Sequence, residues 1–158
     1  MNYKVVDSDI IHKGRVFDLK IDKLVYDSGN EGIREVAIHN GGAVVVPVTN
    51  DNKIVLVKQF RYPLQKFLYE LPAGKLEKDE DPFLCAAREL TEETGYTADV
   101  IKPLGKIFTT PGFCTELLHI YLATGLTAGN SNREEGEFGM ETYEFTLDEV
   151  VRKIIFGD

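Results

Sequence analysis

The chain has 158 residues, 43% of them hydrophobic, enough for one domain with a real core. A formal net charge of −8 and the lack of any Lys/Arg run argue against duplex nucleic acid as a partner. No apolar run approaches the roughly 20 residues that span a bilayer, and polar residues follow Met1 where a leader would be apolar, so the expected location is cytoplasmic. Cys85 and Cys114 lack metal-binding spacing and are too few for a disulfide framework; both are expected to be reduced.

Residues 1–40 read as a small antiparallel strand unit. Phe17, Leu19 and Ile21 alternate onto one face, Ser28 to Gly32 form a turn cluster, and Ile33 to His39 return as a strand. About three strands cannot bury much alone, so this unit must pack on the rest of the chain or on a second copy. Asn40-Gly41-Gly42 marks a break, and residues 41–158 form the main domain. Ala43 to Val48 is a Val-rich central strand, Thr49 to Asn52 a turn, and Ile54 to Phe60 the second arm of a hairpin. Phe67 to Leu71 is a short strand leading through Pro72-Ala73-Gly74 into a charged loop.

A helix follows, with Asp81 as its N-cap, Pro82 at the first helical position and Gly95 just past its end. Phe83, Ala87, Leu90 and Thr94 form the expected buried stripe. Glu89, Glu92 and Glu93 fall on the other side, within roughly a third of a turn of one another. Like charges at i,i+4 cost roughly 0.2–0.5 kcal/mol, and the last turn of a helix disfavours negative charge. A hard divalent cation would remove both penalties, since Mg²⁺ takes carboxylate oxygens and keeps waters for a phosphate substrate. The plain alternative is a solvated acidic face.

Beyond the helix, Ala98 to Phe108 is extended but interrupted by Pro103 and Gly105. Thr109 to Phe113 is a turn, and Leu117 to Ala123 is a strand. Gly125 to Gly139 is polar and acidic and is expected to be mobile. Tyr143 to Thr146 is a brief strand. Leu147 to Phe156 closes the chain as an amphipathic helix, with Val150, Val151, Ile154 and Ile155 facing inward. There is no internal repeat.

The spacing around the first helix is Gly74, five residues, Glu80, seven residues, then Arg88-Glu89-Leu90-Thr91-Glu92-Glu93-Thr94-Gly95-Tyr96. It resembles the Nudix box, G-x5-E-x7-R-E-U-x-E-E-x-G-U with U bulky and apolar, and every fixed position is filled. The resemblance implies an α/β fold: an α/β/α sandwich with a mixed sheet, preceded by the small antiparallel unit. It also implies Mg²⁺- or Mn²⁺-dependent hydrolysis of nucleoside diphosphates linked to another moiety. Gln59-Phe60-Arg61-Tyr62-Pro63, Tyr69-Glu70-Leu71-Pro72-Ala73-Gly74 and Pro111, in the turn beyond Gly95, are similar to features of the ADP-ribose pyrophosphatase group. The N-terminal strand unit is typical of the same group, where it crosses to a partner in a homodimer.

The resemblance carries roles to individual residues. Glu89 and Glu93 would bind the ion together with the Ala73 carbonyl, and Glu92 would be a third ligand or a carboxylate just outside the ligand set. Arg88 would fix the box loop through Glu80 or Glu77, the alternative being a direct substrate contact. A general base is needed near neutral pH; the resembled group supplies it from an acidic loop, here Arg133 to Phe138, with Glu137 first and Glu135 second. Arg61 and Arg34 would contact phosphate or ribose, because Arg forks suit phosphate oxygens. Phe17 would stack the adenine from the partner subunit, or else serve the core. Glu70 would accept hydrogen bonds from adenine or ribose, or else be a strand-end charge. His39 and His119 are given no catalytic role. The resembled group usually continues past its final helix, whereas this sequence ends at Asp158.

The implied reaction is hydrolysis of ADP-ribose to AMP and ribose 5-phosphate. The alternatives are another nucleoside diphosphate sugar or a nucleoside triphosphate as main substrate, or a non-catalytic module that senses a nucleotide.

Overall fold

In a computed structural model of the chain the described residues are 2–133 and 139–157. Among these residues ten strands and two α-helices follow in order: β1 (Tyr3–Lys13), β2 (Asp18–Tyr26), β3 (Glu31–Ile38), β4 (Gly42–Pro47), β5 (Ile54–Arg61), β6 (Lys66–Glu70), β7 (Ala73–Lys75), α1 (Pro82–Thr94), β8 (Tyr96–Phe108), β9 (Leu117–Ala128), β10 (Glu141–Phe145) and α2 (Leu147–Phe156). This is the expected α/β class. The chain divides into two compact units, Met1–Gly41 with Ile107–Leu118 and Gly42–Lys106 with His119–Asp158.

The first unit is an antiparallel meander in the order β1-β2-β3. Its outer strand β1 is exposed along all 11 residues, including Val5, Val6, Ile10 and Ile11. Residues 110–115 join this unit by backbone pairing: Ala37 N–H donates to Phe113 O at 2.8 Å and Thr115 N–H to Ala37 O at 3.0 Å. Phe17, Leu19, Ile33, Arg34, Ala37 and Phe113 line a groove of about 730 Å³ within this unit.

The second unit holds two sheets, β10-β5-β6 and β7-β4-β9-β8. The hairpin expected of β4 and β5 is not formed as a ladder: the two strands lie in different sheets, joined by a single bridge between Val48 and Ile54. Pro47 closes β4 and has no N–H with which to extend a ladder. Strand β8 runs unbroken through Pro103 and Gly105, against expectation, because it lies at the sheet edge, where a missing N–H costs no ladder bond. Strand β9 likewise continues past Ala123 to Ala128, through Gly125 at φ 67°, where a side chain would meet Asp99.

Helix α1 is capped as its sequence dictates. Asp81 accepts a hydrogen bond from Phe83 N–H at 2.8 Å, Pro82 sits in the first turn, and Gly95 ends the helix at φ 79°. Its Cys85, Ala86 and Leu90 pack with Ala43 and Val45 of β4, Ala123 of β9 and Leu76 to form the core. Truncating the fully buried Leu90 to Ala would cost about 2–5 kcal/mol.

Helix α2 begins with a complete capping box between Thr146 and Glu149. Its expected inward face is not buried: Val150 is half-buried, whereas Val151, Ile154 and Ile155 are exposed. Val150 and Ile154 nevertheless line an open cavity with Val46, Ile54, Leu56 and Leu71, beside which Lys153 Nζ lies 4.5 Å from the Tyr69 ring centre and 5.0 Å from that of Phe145.

Candidate functional site

The acidic side of α1 faces the β7 backbone. Among the described residues, the only buried charged side chains are Glu89, 7% exposed, and Glu93, 2% exposed. The expected helix orientation is therefore corrected. The buried face is Cys85, Ala86, Glu89, Leu90 and Glu93, while Phe83 is exposed and Ala87 and Thr94 are half-buried. The glutamates can lie inside because their neighbour is polar backbone. Ala73 N–H donates to Glu93 Oε2 at 3.1 Å. Gly74 lets Glu89 in: a β-carbon there would stand 1.7 Å from Glu89 Oε1 and 2.0 Å from its carboxyl carbon.

Arg88 is the hub of the remaining charges. Its Nε and Nη2 donate to the two Glu80 oxygens at 3.0 and 3.2 Å, and Nη1 donates to Glu89 at 2.6 Å and Glu92 at 2.9 Å. The expected Arg88–Glu80 pair is thus present. Glu77 enters differently, its N–H donating to Glu80 Oε2 at 2.8 Å. Arg88 holds the Glu80 carboxyl below its ordinary value against the opposing effect of burial. The same carboxylates push the Arg88 guanidinium well above its own. One guanidinium thus gathers three carboxylates, Glu80, Glu89 and Glu92, with Glu93 one turn further on.

Cys85, beneath the cluster, points its thiol toward the Gly74 and Lys75 carbonyls at 3.7 and 3.8 Å. Burial pushes that thiol up to about 12. Both cysteines are free, Cys85 buried and Cys114 half-buried.

Arg61 and Glu70 lie on neighbouring strands of the β5–β6 hairpin, opposite Lys66 and Val57 respectively, and their side chains meet diagonally. Nε donates to Oε1 at 2.8 Å and Nη2 to Oε2 at 2.5 Å, a two-pronged charged pair. Arg61 is half-exposed. Its guanidinium is held above its ordinary value, chiefly by Glu70 and further by the charge of Glu93.

The structure brings Ala73, Arg88, Glu89, Glu92 and Glu93 together, and it pairs Arg61 with Glu70 in the same unit. Phe17 and Arg34 share the groove of the first unit, where Arg34 also donates to Tyr26 Oη at 2.6 Å. Pro111 is exposed in the turn after Thr110. Glu135 and Glu137 lie outside the described residues. His39 accepts from Gly41 N–H at 3.0 Å, a structural contact.

The segment after β9 was expected to be mobile, but its first part is tied to the end of α1. Gly129 N–H donates to Gly95 O at 2.8 Å and Asn132 N–H to Glu92 O at 3.0 Å. The approach is close: a side chain on Gly95 would meet Gly129 O at 2.8 Å.

Among the described residues no three His, Cys, Asp or Glu side chains form a ready metal cage. Mg²⁺ does not ask for one, since it binds through one or two carboxylates and keeps several waters. Two buried carboxylates, Glu93 against the Ala73 N–H and Glu89 against Gly74, with Glu92 on the same helix, are hard oxygen donors of the kind such an ion takes.

A domain model described as NUDIX domain matches residues 39–156. The methanol dehydrogenase activator of Bacillus methanolicus is 42% identical over 153 residues, covering 96% of this chain and 82% of that protein. The ADP-ribose pyrophosphatase of Bacillus subtilis (strain 168) is 40% identical over 153 residues, with the same coverage. The crystal structure of an ADP compounds hydrolase superposes with a TM-score of 0.86 over 100% of this chain and 84% of the other. At 18% identity, that likeness is one of fold.

Proposed function

This chain belongs to the NUDIX domain family and is a pyrophosphohydrolase of that family; from that premise we propose that it hydrolyses the diphosphate bond of ADP-ribose to AMP and ribose 5-phosphate. The observation that carries the reading is the seating of Glu89 and Glu93 on the Gly74 and Ala73 backbone. The substrate assignment is supported by similarity to an ADP-ribose pyrophosphatase over nearly the whole chain.

Glu89, Glu93 and the Ala73 carbonyl, with Glu92 beside them, would hold a Mg²⁺ or Mn²⁺ ion. When bound, the ion neutralises diphosphate oxygens and makes a bound water a better nucleophile. The chain's own part is to place and exclude. Arg88 fixes Glu89 and Glu92 against the box loop through Glu80. In this reading Arg61, half-exposed and already forked to Glu70, takes a diphosphate oxygen, Arg34 contacts phosphate or ribose, and Phe17 stacks the adenine from the partner subunit. Glu137, or in its place Glu135, takes the proton of the attacking water; the new P–O bond forms as the bridging P–O bond breaks.

The homodimer belongs to the same reading. It is supported by the fully exposed edge strand β1 with its apolar residues. Light scattering of the purified chain tests it, and a monomer at micromolar concentration would overturn it. A cytoplasmic location is part of the same proposal; no helix among the described residues is long and apolar enough to cross a membrane. The net charge of −8 argues against nucleic acid as the partner.

Chromatography of products from a panel of nucleoside diphosphate sugars, ADP-ribose and nucleoside triphosphates, with Mg²⁺ or EDTA, decides the substrate. Faster turnover of another panel member displaces ADP-ribose. Glu93→Gln should abolish turnover and retain nucleotide binding. A second reading, action on a dehydrogenase, rests on the 42% identity to the methanol dehydrogenase activator. It is favoured if the chain raises dehydrogenase turnover while hydrolysing no panel member.

A further inference from the structure

The last turn of α1 poses a problem that the helix does not solve itself. It ends in Glu92 and Glu93 and contains no basic residue. The carbonyls at a helix C-terminus carry a partial negative charge, equivalent to about half an elementary charge. Acidic side chains there loosen the turn, and this is the turn that carries Glu93.

The compensating cation comes from forty residues away. Arg133 Nε and Nη2 both donate to the Glu93 carbonyl, at 2.9 and 2.8 Å. Nη2 also donates to Thr142 Oγ1 at 2.9 Å, and Nη1 donates to the Met140 carbonyl. Among the described residues its hydrogen-bond partners include no carboxylate. Arg133 is therefore bound to backbone and a hydroxyl, in a part-buried setting next to the buried Met140. Asn132 and Gly129 cap the Glu92 and Gly95 carbonyls on either side.

We propose that Arg133 is a positioning residue for the metal site. It fixes the last turn of α1 from its carbonyl end and so holds the Glu93 carboxylate where an ion can use it. This rests on the metal reading given above. The planar fork matters as well as the charge, because Glu93 O, Met140 O and Thr142 Oγ1 lie in different directions. A lysine would keep the charge but could not span all three. Supporting residues of this kind typically contribute 10–100-fold to metal affinity.

The test titrates Mn²⁺ into wild type, Arg133→Gln, Arg133→Lys and the milder Thr142→Val without substrate. Free Mn²⁺ is followed by electron paramagnetic resonance, and melting is recorded in EDTA. Arg133→Gln should weaken Mn²⁺ binding by about tenfold or more, with Arg133→Lys intermediate. Thr142→Val should weaken it by a smaller factor in the same direction. In turnover, kcat at low metal should fall and recover as Mn²⁺ is raised, while the KM for ADP-ribose at saturating metal stays near wild type. Lower melting with unchanged Mn²⁺ affinity would overturn the proposal. Should Arg133→Gln fail to fold, unchanged affinity in both Arg133→Lys and Thr142→Val does the same. A wild type that takes up no Mn²⁺ overturns the metal reading itself, which separates the two failures.

Discussion

The carboxylate of Glu89 occupies the space a side chain at Gly74 would need, its Oε1 1.7 Å from the position of the missing β-carbon. Gly74 has no left-handed backbone to protect, since it is absent from the positive-φ glycines. The requirement for glycine here is purely one of space. Gly74→Ala should therefore leave β7 paired with β4 and push Glu89 aside. A displacement of about 1 Å at a catalytic group costs on the order of 100-fold. We expect kcat to fall by about that factor, with weaker Mn²⁺ binding and a near-native circular dichroism spectrum. Undiminished turnover would remove Glu89 from the mechanism.

The Glu80–Arg88 pair makes stability depend on acidity. The Glu80 carboxyl titrates below its ordinary 4.5 because Arg88 donates to it and Glu77 N–H adds a second bond, which together outweigh burial. The folded state thus holds fewer protons than the unfolded state just below pH 4.5. This contribution is present above that pH and is lost as the pH falls through the lower folded value. Urea titrations of wild type and Glu80→Gln should show a gap at neutral pH that narrows on acidification below 4.5. A gap constant with pH would contradict the pairing.

Arg61 and Glu70 should act as one device. Hydrogen bonds to charged groups are worth about 1.5–3 kcal/mol, so Arg61→Ala should raise the KM for ADP-ribose by roughly 10–150-fold. Glu70→Gln should raise it less, because it only loosens the fork. The double variant Arg61→Ala/Glu70→Gln should be no worse than Arg61→Ala, since Glu70 works through Arg61. Additive losses would mean that Glu70 contacts the substrate on its own account.

The two thiols should be distinguishable by chemistry. Cys85 is fully buried and its thiol is pushed up to about 12 by burial, helped by the negative charge of Glu80. The thiolate is the reactive form, so at about pH 8 a disulfide reagent should titrate one thiol in the native protein and two in urea. Rapid native reaction at both sites would show that the core around Cys85 opens.

The sequence made α1 legible at both ends because capping is local chemistry: Asp81, Pro82 and Gly95 need only their neighbours along the chain. The face of α1 was misread for a physical reason. A helical wheel assumes a wholly apolar partner, whereas here the face is shared: Cys85, Ala86 and Leu90 meet the core, and Glu89 and Glu93 meet the Ala73–Gly74 backbone. The box spacing did place Glu80, Arg88, Glu89 and Glu92 in reach of one another. The β4–β5 turn was legible, but the assignment of its arms to separate sheets was not, since strand partners are chosen far along the chain. The exposure of Ile154 and Ile155 was illegible too: Ile154 does line a cavity with Val150, Val46, Ile54, Leu56 and Leu71, but that cavity is left open. Arg133 carries no local signal whatever; only the fold sets it against Glu93.

Gly95 begins the β8–β9 hairpin and Gly129 ends it, and the two meet in a direct backbone bond. The excursion between them is a closed detour that leaves and returns at the same point. Residues gained or lost at its far turn need not alter the separation of Glu93 and Arg133. A change of length at that far turn would break its pairing with Ala37 of β3, yet the helix from which the arm springs would feel none of it.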